Sequence, residues 1–179
     1  MNRAPDFDRR AVTYEAHASL QRDVAAWLAE WLPARADGPA LELGAGTGIF
    51  TRHLARIAGD LVATDIAPRM VAEGTAALPS ARWVVADATS PPRGTGYRWI
   101  FTCSLAQWLP DPARALRAWH DASAPAARLV AGWFVRGTLE EFQTSCPEAA
   151  PFAWRDVAGW LQLLDAAGWR VRRHETRIF

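Results

Sequence analysis

The chain has 179 residues, a mass of 19.7 kDa and a formal net charge of +1, which predicts one domain without a field that would attract nucleic acid or a membrane surface. Half of the residues are hydrophobic and 22% are charged, which excludes an intrinsically disordered chain. The sequence has no apolar run of about 18 residues, so no membrane span is expected. Cys103 and Cys146 lack a CxxC spacing and the histidines lack metal-ligand spacing. We therefore expect a cytoplasmic protein with free thiols and no metal.

The first predicted element is an amphipathic helix, because Leu20, Val24, Trp27, Leu28 and Trp31 recur at helical spacing. It lies in an N-terminal helical segment, residues 1–33, of a single domain that covers residues 1–179. Strand-like and helix-like segments then alternate. The predicted strands are Ala40–Leu43, Leu61–Asp65, Arg82–Ala86, Arg98–Cys103, Arg128–Phe134 and Trp169–Ile178. The predicted helices are Thr47–Ala58, Pro68–Leu78, Asp111–Ser123 and a last one that begins near Val157 and stops at Gly168.

This alternation predicts an α/β fold with a doubly wound, Rossmann-like parallel sheet. Ligands of such sheets bind beyond the carboxyl ends of the strands, where the strand order reverses. The chemistry is therefore expected at residues 44–48, 65–66, 87–88 and 104–108, each of which follows a predicted strand.

Three short motifs occupy these positions. The first turn has glycines at 44, 46 and 48, which permit close approach of the backbone to a ligand, although a GxGxG pattern alone is a weak signal. Asp65 ends the second strand and is suited to accept both hydroxyls of a ribose, or to cap the helix that begins at Pro68. Asp87 follows the third strand and is either an acceptor for an adenine amino group or a solvated turn residue.

Residues 39–105 resemble the class I S-adenosylmethionine-dependent methyltransferases, through Leu41-Glu-Leu-Gly-Ala-Gly-Thr-Gly48, Ala63-Thr-Asp65 and Ala86-Asp-Ala88. The resemblance implies S-adenosylmethionine as the cofactor, with residues 1–33 folded over its site. Gly44, Ala45, Gly46 and Gly48 would line its methionine part, with Glu42 behind them. Asp65 would hold the ribose, and Ile66, Asp87 and Ala88 would meet the adenine. Ser104 and Trp108 are candidates by position for the sulfonium, whose charge aromatic faces can attract.

Flanking segments resemble a narrower family, the malonyl-acyl-carrier-protein O-methyltransferases of biotin synthesis. The likeness covers most of residues 7–142, through Phe7-Asp-Arg-Arg-Ala11, Tyr14-Glu-Ala-His17, Ser104-Leu-Ala-Gln-Trp108 and Gly137-Thr-Leu-Glu-Glu-Phe142. Residues 107–111 also resemble trans-aconitate methyltransferases. Both families methylate a carboxylate, so the resemblance implies the same chemistry and leaves the acceptor open.

A carboxylic acid has a pKa near 4 and is ionised at pH 7, so the reaction needs no general base. The expected substrate pocket contains Tyr14, His17, Gln107, Trp108 and Arg136, with Arg136 as the first candidate to hold the acceptor's carboxylate. Structural alternatives are a helix contact for His17, loop capping for Gln107, core packing for Trp108 and a solvated charge for Arg136. The acceptor is a small or carrier-bound carboxylate. The other hypothesis is a non-catalytic cofactor-binding or partner protein.

The families that the chain resembles usually have a seventh strand and a C-terminal lid, and we expect both to be missing here. We expect the sixth strand to pair directly with the fifth, which gives the order 3-2-1-4-5-6. If it does not, the open edge of the fifth strand would favour oligomerisation.

Overall fold

The computed structural model describes residues 7–92, 96–138 and 155–179. The described helices are α1 (Phe7–Tyr14), α2 (Ser19–Ala29), α3 (Thr51–Leu54), α4 (Pro68–Ala77), α5 (Pro112–Asp121) and α6 (Val157–Ala166). The strands are β1 (Ala40–Leu43), β2 (Leu61–Asp65), β3 (Arg82–Val85), β4 (Tyr97–Cys103) and β5 (Ser123–Gly132). Short 3-10 turns lie at Glu15–His17 and Ala106–Trp108. Among the described residues, no helix is long and apolar enough to span a membrane, and no group of side chains is arranged to hold a metal ion.

The five strands form one parallel sheet in the order β3-β2-β1-β4-β5, which confirms the predicted α/β fold and the order of its first five strands. Side chains of β4 alternate between the two faces. Ile100 packs with Leu116 and Trp119 of α5, while Phe101 packs with residues of α2 and α3. The sheet is therefore buried on both sides, as crossover helices require.

The predicted sixth strand, Trp169–Ile178, is wrong, because residues 169–179 form no strand. The Trp169 indole is buried and donates to the carbonyl of Leu116 in α5 (3.1 Å), which directs the chain away from β5. Farther on, the Arg173 guanidinium lies 3.9 Å from the ring centroid of Trp31, and the Phe179 ring meets Trp27 edge-on. Residues 169–179, the C-terminal arm, thus pack on α2 and on the residues just after α2. A cavity of about 1220 Å³ lies between this arm and β5.

Two element boundaries also differ from the prediction. The helix expected at 47–58 is α-helical only at Thr51–Leu54, because i→i+3 hydrogen bonds such as His53 N–H to Phe50 O tighten its turns. The fifth strand begins at Ser123 and ends at Gly132, rather than covering 128–134, and its pairing with β4 shifts register between Tyr97 and Trp99. Asp111 caps α5, since its carboxylate accepts from the N–H of Arg114 (3.0 Å).

Candidate active site

A cavity of about 340 Å³ lies at the carboxyl ends of β1, β2 and β4. It stands where the sheet order reverses between β1 and β4, the position at which such sheets bind ligands. The predicted residues in its wall are Tyr14, Glu42, Gly44, Ala45, Gly46, Asp65, Ile66, Asp87, Ala88, Ser104 and Trp108. His17, Gly48, Gln107 and Arg136 are not among the wall residues.

The glycine-rich turn after β1 forms one wall. Gly44 and Gly46 have φ angles of +68° and +57°, which side chains disfavour. A Cβ on Gly44 would lie 2.9 Å from the Leu105 side chain, so this glycine lets the turn pack against the loop after β4. A Cβ on Gly46 would meet no atom within 4 Å, so the space beside this glycine is open. Gly48 instead faces the Trp83 ring, at 3.3 Å from its would-be Cβ, and packs the turn against β3.

Asp65, at the end of β2, ties two loops together. Its Oδ2 accepts from the N–H of Gly46 and its Oδ1 from the N–H of Ala67, both at 2.9 Å. Burial raises the pKa of Asp65, while the backbone N–H groups of Ala67 and Gly46 oppose that rise. Each carboxylate oxygen has a second lone pair, so Asp65 retains the capacity to accept two hydroxyl groups of a ligand.

Glu42, in the middle of β1, is 1% exposed. Its Oε2 atom has no hydrogen-bond partner among the described residues. Burial raises the pKa of Glu42 to about 8, the Thr51 hydroxyl lowers it, and the charge of Asp65 adds to the rise. Burial thus favours the protonated form of the Glu42 carboxyl, which lies two residues before Gly44 of the glycine-rich turn.

The loops after β2 and β3 lie side by side in the cavity wall, where the N–H of Ala86 donates to the carbonyl of Asp65 (2.9 Å). Ile66 is 62% exposed, which is unusual for a large apolar side chain and leaves an apolar surface beside Asp65. The buried Trp119 indole donates to the carbonyl of Ala88 (2.7 Å) and fixes the second loop from below. Asp87 accepts from the N–H of Thr89 (2.8 Å), which shapes the turn at the cavity wall.

The loop after β4 carries a strained residue. Ser104 has a φ of +59°, and its N–H donates to the carbonyl of Gly132 in β5 (2.8 Å). The Gln107 amide donates to the carbonyl of Ser104 (2.8 Å) and is 5% exposed. Gln107 therefore braces this loop from outside the cavity, which is the capping alternative that the sequence had left open.

The predicted substrate residues separate into two groups. Tyr14 and Trp108 are in the cavity wall, whereas His17 is exposed and outside it. Arg136 is also outside the wall, with its guanidinium 3.9 Å from the carboxylate of Asp156. The described wall contains no arginine.

Sequence reasoning missed Gln21 of α2 and Cys103 of β4, which lie in the wall together with other residues that it did not single out. Burial raises the pKa of Cys103 to about 12, so its thiol is neutral at pH 7. Its place directly before Ser104, at a strand end, was the signal available in the sequence.

The chain is similar to several proteins of known family. A methyltransferase-domain family matches residues 40–126, from the start of β1 into β5. The biotin biosynthesis bifunctional protein BioHC of Cellvibrio japonicus is 31% identical over 163 residues, which cover 89% of this chain and 31% of that protein. A malonyl-[acyl-carrier protein] O-methyltransferase of Halorhodospira halophila is 34% identical over 150 residues, covering 79% of this chain and 51% of that protein. The chain thus spans about half of this relative and a third of BioHC.

One further relative is matched over more of its length. The demethylmenaquinone methyltransferase of Beutenbergia cavernae is 31% identical over 164 residues, which cover 78% of this chain and 68% of that protein.

Solved structures share the fold. The complex of the Haloferax volcanii Trm112 methyltransferase activator with a methyltransferase superposes with a TM-score of 0.80 at 16% identity, covering 93% of this chain and 77% of that chain. A DhpI-SAM-HEP complex superposes with a TM-score of 0.68 at 26% identity, covering 90% of this chain and 85% of that chain. The sheet order, the cavity at the strand ends and these relatives agree, and the chain belongs to the class I S-adenosylmethionine-dependent methyltransferases.

Proposed function

We propose that the protein is a carboxyl O-methyltransferase whose acceptor is the free carboxyl of a malonyl group on acyl carrier protein. Several curated relatives, at 27–34% identity, are named malonyl-[acyl-carrier protein] O-methyltransferases, which supports this choice among acceptors. A free small acid such as trans-aconitate is the competing acceptor.

The cavity suits the parts of S-adenosylmethionine. Gly46 leaves open space at the wall, Asp65 retains lone pairs for the ribose hydroxyls, and Ile66 offers an apolar surface to the adenine. The described wall contains acidic side chains and no arginine, which favours a cationic ligand. When bound, the cofactor supplies an electrophilic methyl group on a cationic sulfur.

The observation that carries the proposal is that the described wall lacks a group suited to be a general base near pH 7. It contains no histidine, and burial raises the pKa of both Tyr14 and Cys103, which keeps them neutral. Burial raises the pKa of Glu42 and favours its protonated form, and Asp65 and Asp87 accept hydrogen bonds from backbone N–H groups. A carboxylate acceptor is already ionised and needs no base, unlike an amine, a hydroxyl or a carbon acid.

Rate enhancement would then come from positioning and from exclusion of water. Orientation of two reactants can contribute about 7–11 kcal/mol. A dry cavity further favours a reaction in which a cation and an anion become neutral. Tyr14 and Trp108 supply wall area for this exclusion.

Arg136 remains our candidate to hold the acceptor's carboxylate. Its side chain is 66% exposed, and an exposed ion pair such as that with Asp156 contributes only about 0–1 kcal/mol. Little free energy therefore opposes its turning toward an anionic acceptor. Arg172, an exposed arginine of the C-terminal arm, is a matched control.

The test is methyl transfer from labelled cofactor to malonyl-acyl carrier protein, malonyl-CoA and trans-aconitate in parallel. We expect the highest kcat/KM with the carrier-bound malonyl group. Arg136→Gln should raise the KM for malonyl-acyl carrier protein at least tenfold, and Arg172→Gln should change this KM by less than twofold. Preferred transfer to trans-aconitate, or transfer to none of the three, would refute the proposed acceptor.

A further inference from the structure

Helix α4 lacks a cap of its own. Its N-cap residue is Ala67, which has no side-chain acceptor, and its first turn contains no acidic residue. The first-turn N–H groups of a helix need acceptors, and an anion there also interacts favourably with the helix dipole. Asp65, two residues before Ala67, accepts from the N–H of Ala67 itself, and the Ala67 side chain offers nothing to the N–H groups of the first turn.

Asp8 of α1 supplies the missing cap from a separate helix. Its Oδ1 accepts from the backbone N–H of Arg69 (2.8 Å), 61 residues away in sequence. Its Oδ2 lies 3.7 Å from Nε of the Arg69 side chain. One carboxylate thus joins α1 to the first turn of α4 through both a backbone and a side-chain contact.

The other end of α1 reaches the cavity. Tyr14 packs against an apolar cluster of Ala11, Ala67 and Met70, and it contributes to the cavity wall. Tyr14 shares this wall with Asp65 and Cys103, the residues at which β2 and β4 end. Six residues of helix separate Asp8 from Tyr14, or about 9 Å along the axis.

The same turn of α4 also contacts Asp65, because the N–H of Ala67 donates to Asp65 Oδ1 (2.9 Å). Two carboxylates therefore bind neighbouring N–H groups at the start of α4: Asp65 from the cavity and Asp8 from the helix that covers it.

We infer that Asp8 is a positioning residue for the cofactor site: by capping α4 from α1, it holds Tyr14 over the cavity. The inference rests on the proposed use of this cavity for the cofactor. Asp8 does not itself line the cavity, so its effect on binding must pass through α1 and α4.

The first test needs no cofactor. In hydrogen exchange on the free protein, Asp8→Ala should speed exchange of the α1 amides by about five- to tenfold, the factor expected for loss of a helix cap. Asp8→Asn keeps an acceptor oxygen and should restore most of the protection. Arg69→Ala removes the side-chain contact but keeps the backbone donor, so its α1 amides should exchange at rates within twofold of those in the wild type. Unchanged exchange in Asp8→Ala would refute the inference, whatever the cavity binds.

The second test measures the affinity for S-adenosylmethionine by calorimetry in a double-mutant cycle with Tyr14→Ala. Asp8→Ala alone should weaken binding about five- to tenfold, while in the Tyr14→Ala background it should have less than a twofold effect. If Asp8→Ala weakens binding by the same factor in the Tyr14→Ala background, then Asp8 only stabilises α4. That result would contradict a role through Tyr14. Absence of cofactor binding in the wild type would refute the proposed function but would leave the exchange result to decide on Asp8.

Discussion

Asp65 joins two loops at the cavity. It connects the glycine-rich turn to α4 through Gly46 and Ala67, and it retains lone pairs on both oxygens. Burial raises the pKa of Glu42 and that of Asp65, and backbone N–H groups oppose the rise at Asp65. Different effects are therefore expected when each acid is replaced.

Asp65→Ala is expected to weaken S-adenosylmethionine binding by one to two orders of magnitude, because hydrogen bonds to a charged acceptor contribute about 1.5–3 kcal/mol. Asp60→Ala is the matched control, since Asp60 is exposed and lies at the opposite end of β2. Calorimetry would measure both. An unchanged affinity in Asp65→Ala would exclude Asp65 from the ribose site.

Glu42→Gln is expected to change how stability depends on pH. Burial raises the pKa of Glu42 from its ordinary value to about 8 in the folded state, so the unfolded chain loses this proton first as pH rises. The free energy of unfolding of the wild type should therefore fall between about pH 5 and 8, relative to Glu42→Gln, by an amount on the order of a few kcal/mol. Urea unfolding of both proteins across this range measures the difference. A difference that stays constant with pH would show that Glu42 is ionised in the folded protein.

At the level of elements, the loop from β4 to α5 combines strain with a brace. Ser104 has a left-handed backbone, a conformation that costs about 1–2 kcal/mol for a residue with a side chain, and the Gln107 amide bonds its carbonyl. This loop also packs against Gly44, so its position helps to shape the glycine-rich turn.

Gln107→Leu is expected to lower the free energy of unfolding by about 1–2 kcal/mol, because the Ser104 carbonyl loses its donor. Ser104→Gly in the same background should recover part of this loss, since glycine adopts a φ of +59° without strain. Denaturant titration of the two single variants and the double variant tests this. Strictly additive effects would show that the brace and the strain are independent.

The same scale shows what could be predicted from the sequence. The three central strands β1, β2 and β4 were recognisable because strands buried on both faces appear as short apolar runs, and the site followed because ligand loops follow strand ends. The path of the C-terminal arm could not be predicted, because Trp169, Val171 and Ile178 give the pattern that is typical of an edge strand. Its actual partners, Trp27 and Trp31, are more than a hundred residues away. The cap from Asp8 to Arg69 was equally invisible, since no local pattern links residues on two helices.

For the whole molecule, methyl transfer to an ionised carboxylate means that the chemical step involves no base that titrates near pH 7. With saturating substrates, kcat should therefore be flat from about pH 6.5 to 8.5, because the acceptor carboxyl ionises near pH 4. A pH–rate profile of the wild type measures this. A limb with an apparent pKa near 7 that disappears on replacement of a histidine would contradict the mechanism.

Transfer of the methyl group to a carboxylate forms an ester bond, which can be distinguished chemically from the other bonds that a methyl group can form. A methyl ester is cleaved by mild alkali and releases methanol, whereas a methyl group on nitrogen, on carbon or in an ether is retained. The protein should be incubated with methyl-labelled S-adenosylmethionine and malonyl-acyl carrier protein, and the product should then be treated with alkali. If the acceptor is the malonyl carboxylate, we expect nearly all of the transferred label to become volatile. Label that stays on the product after alkali would contradict it.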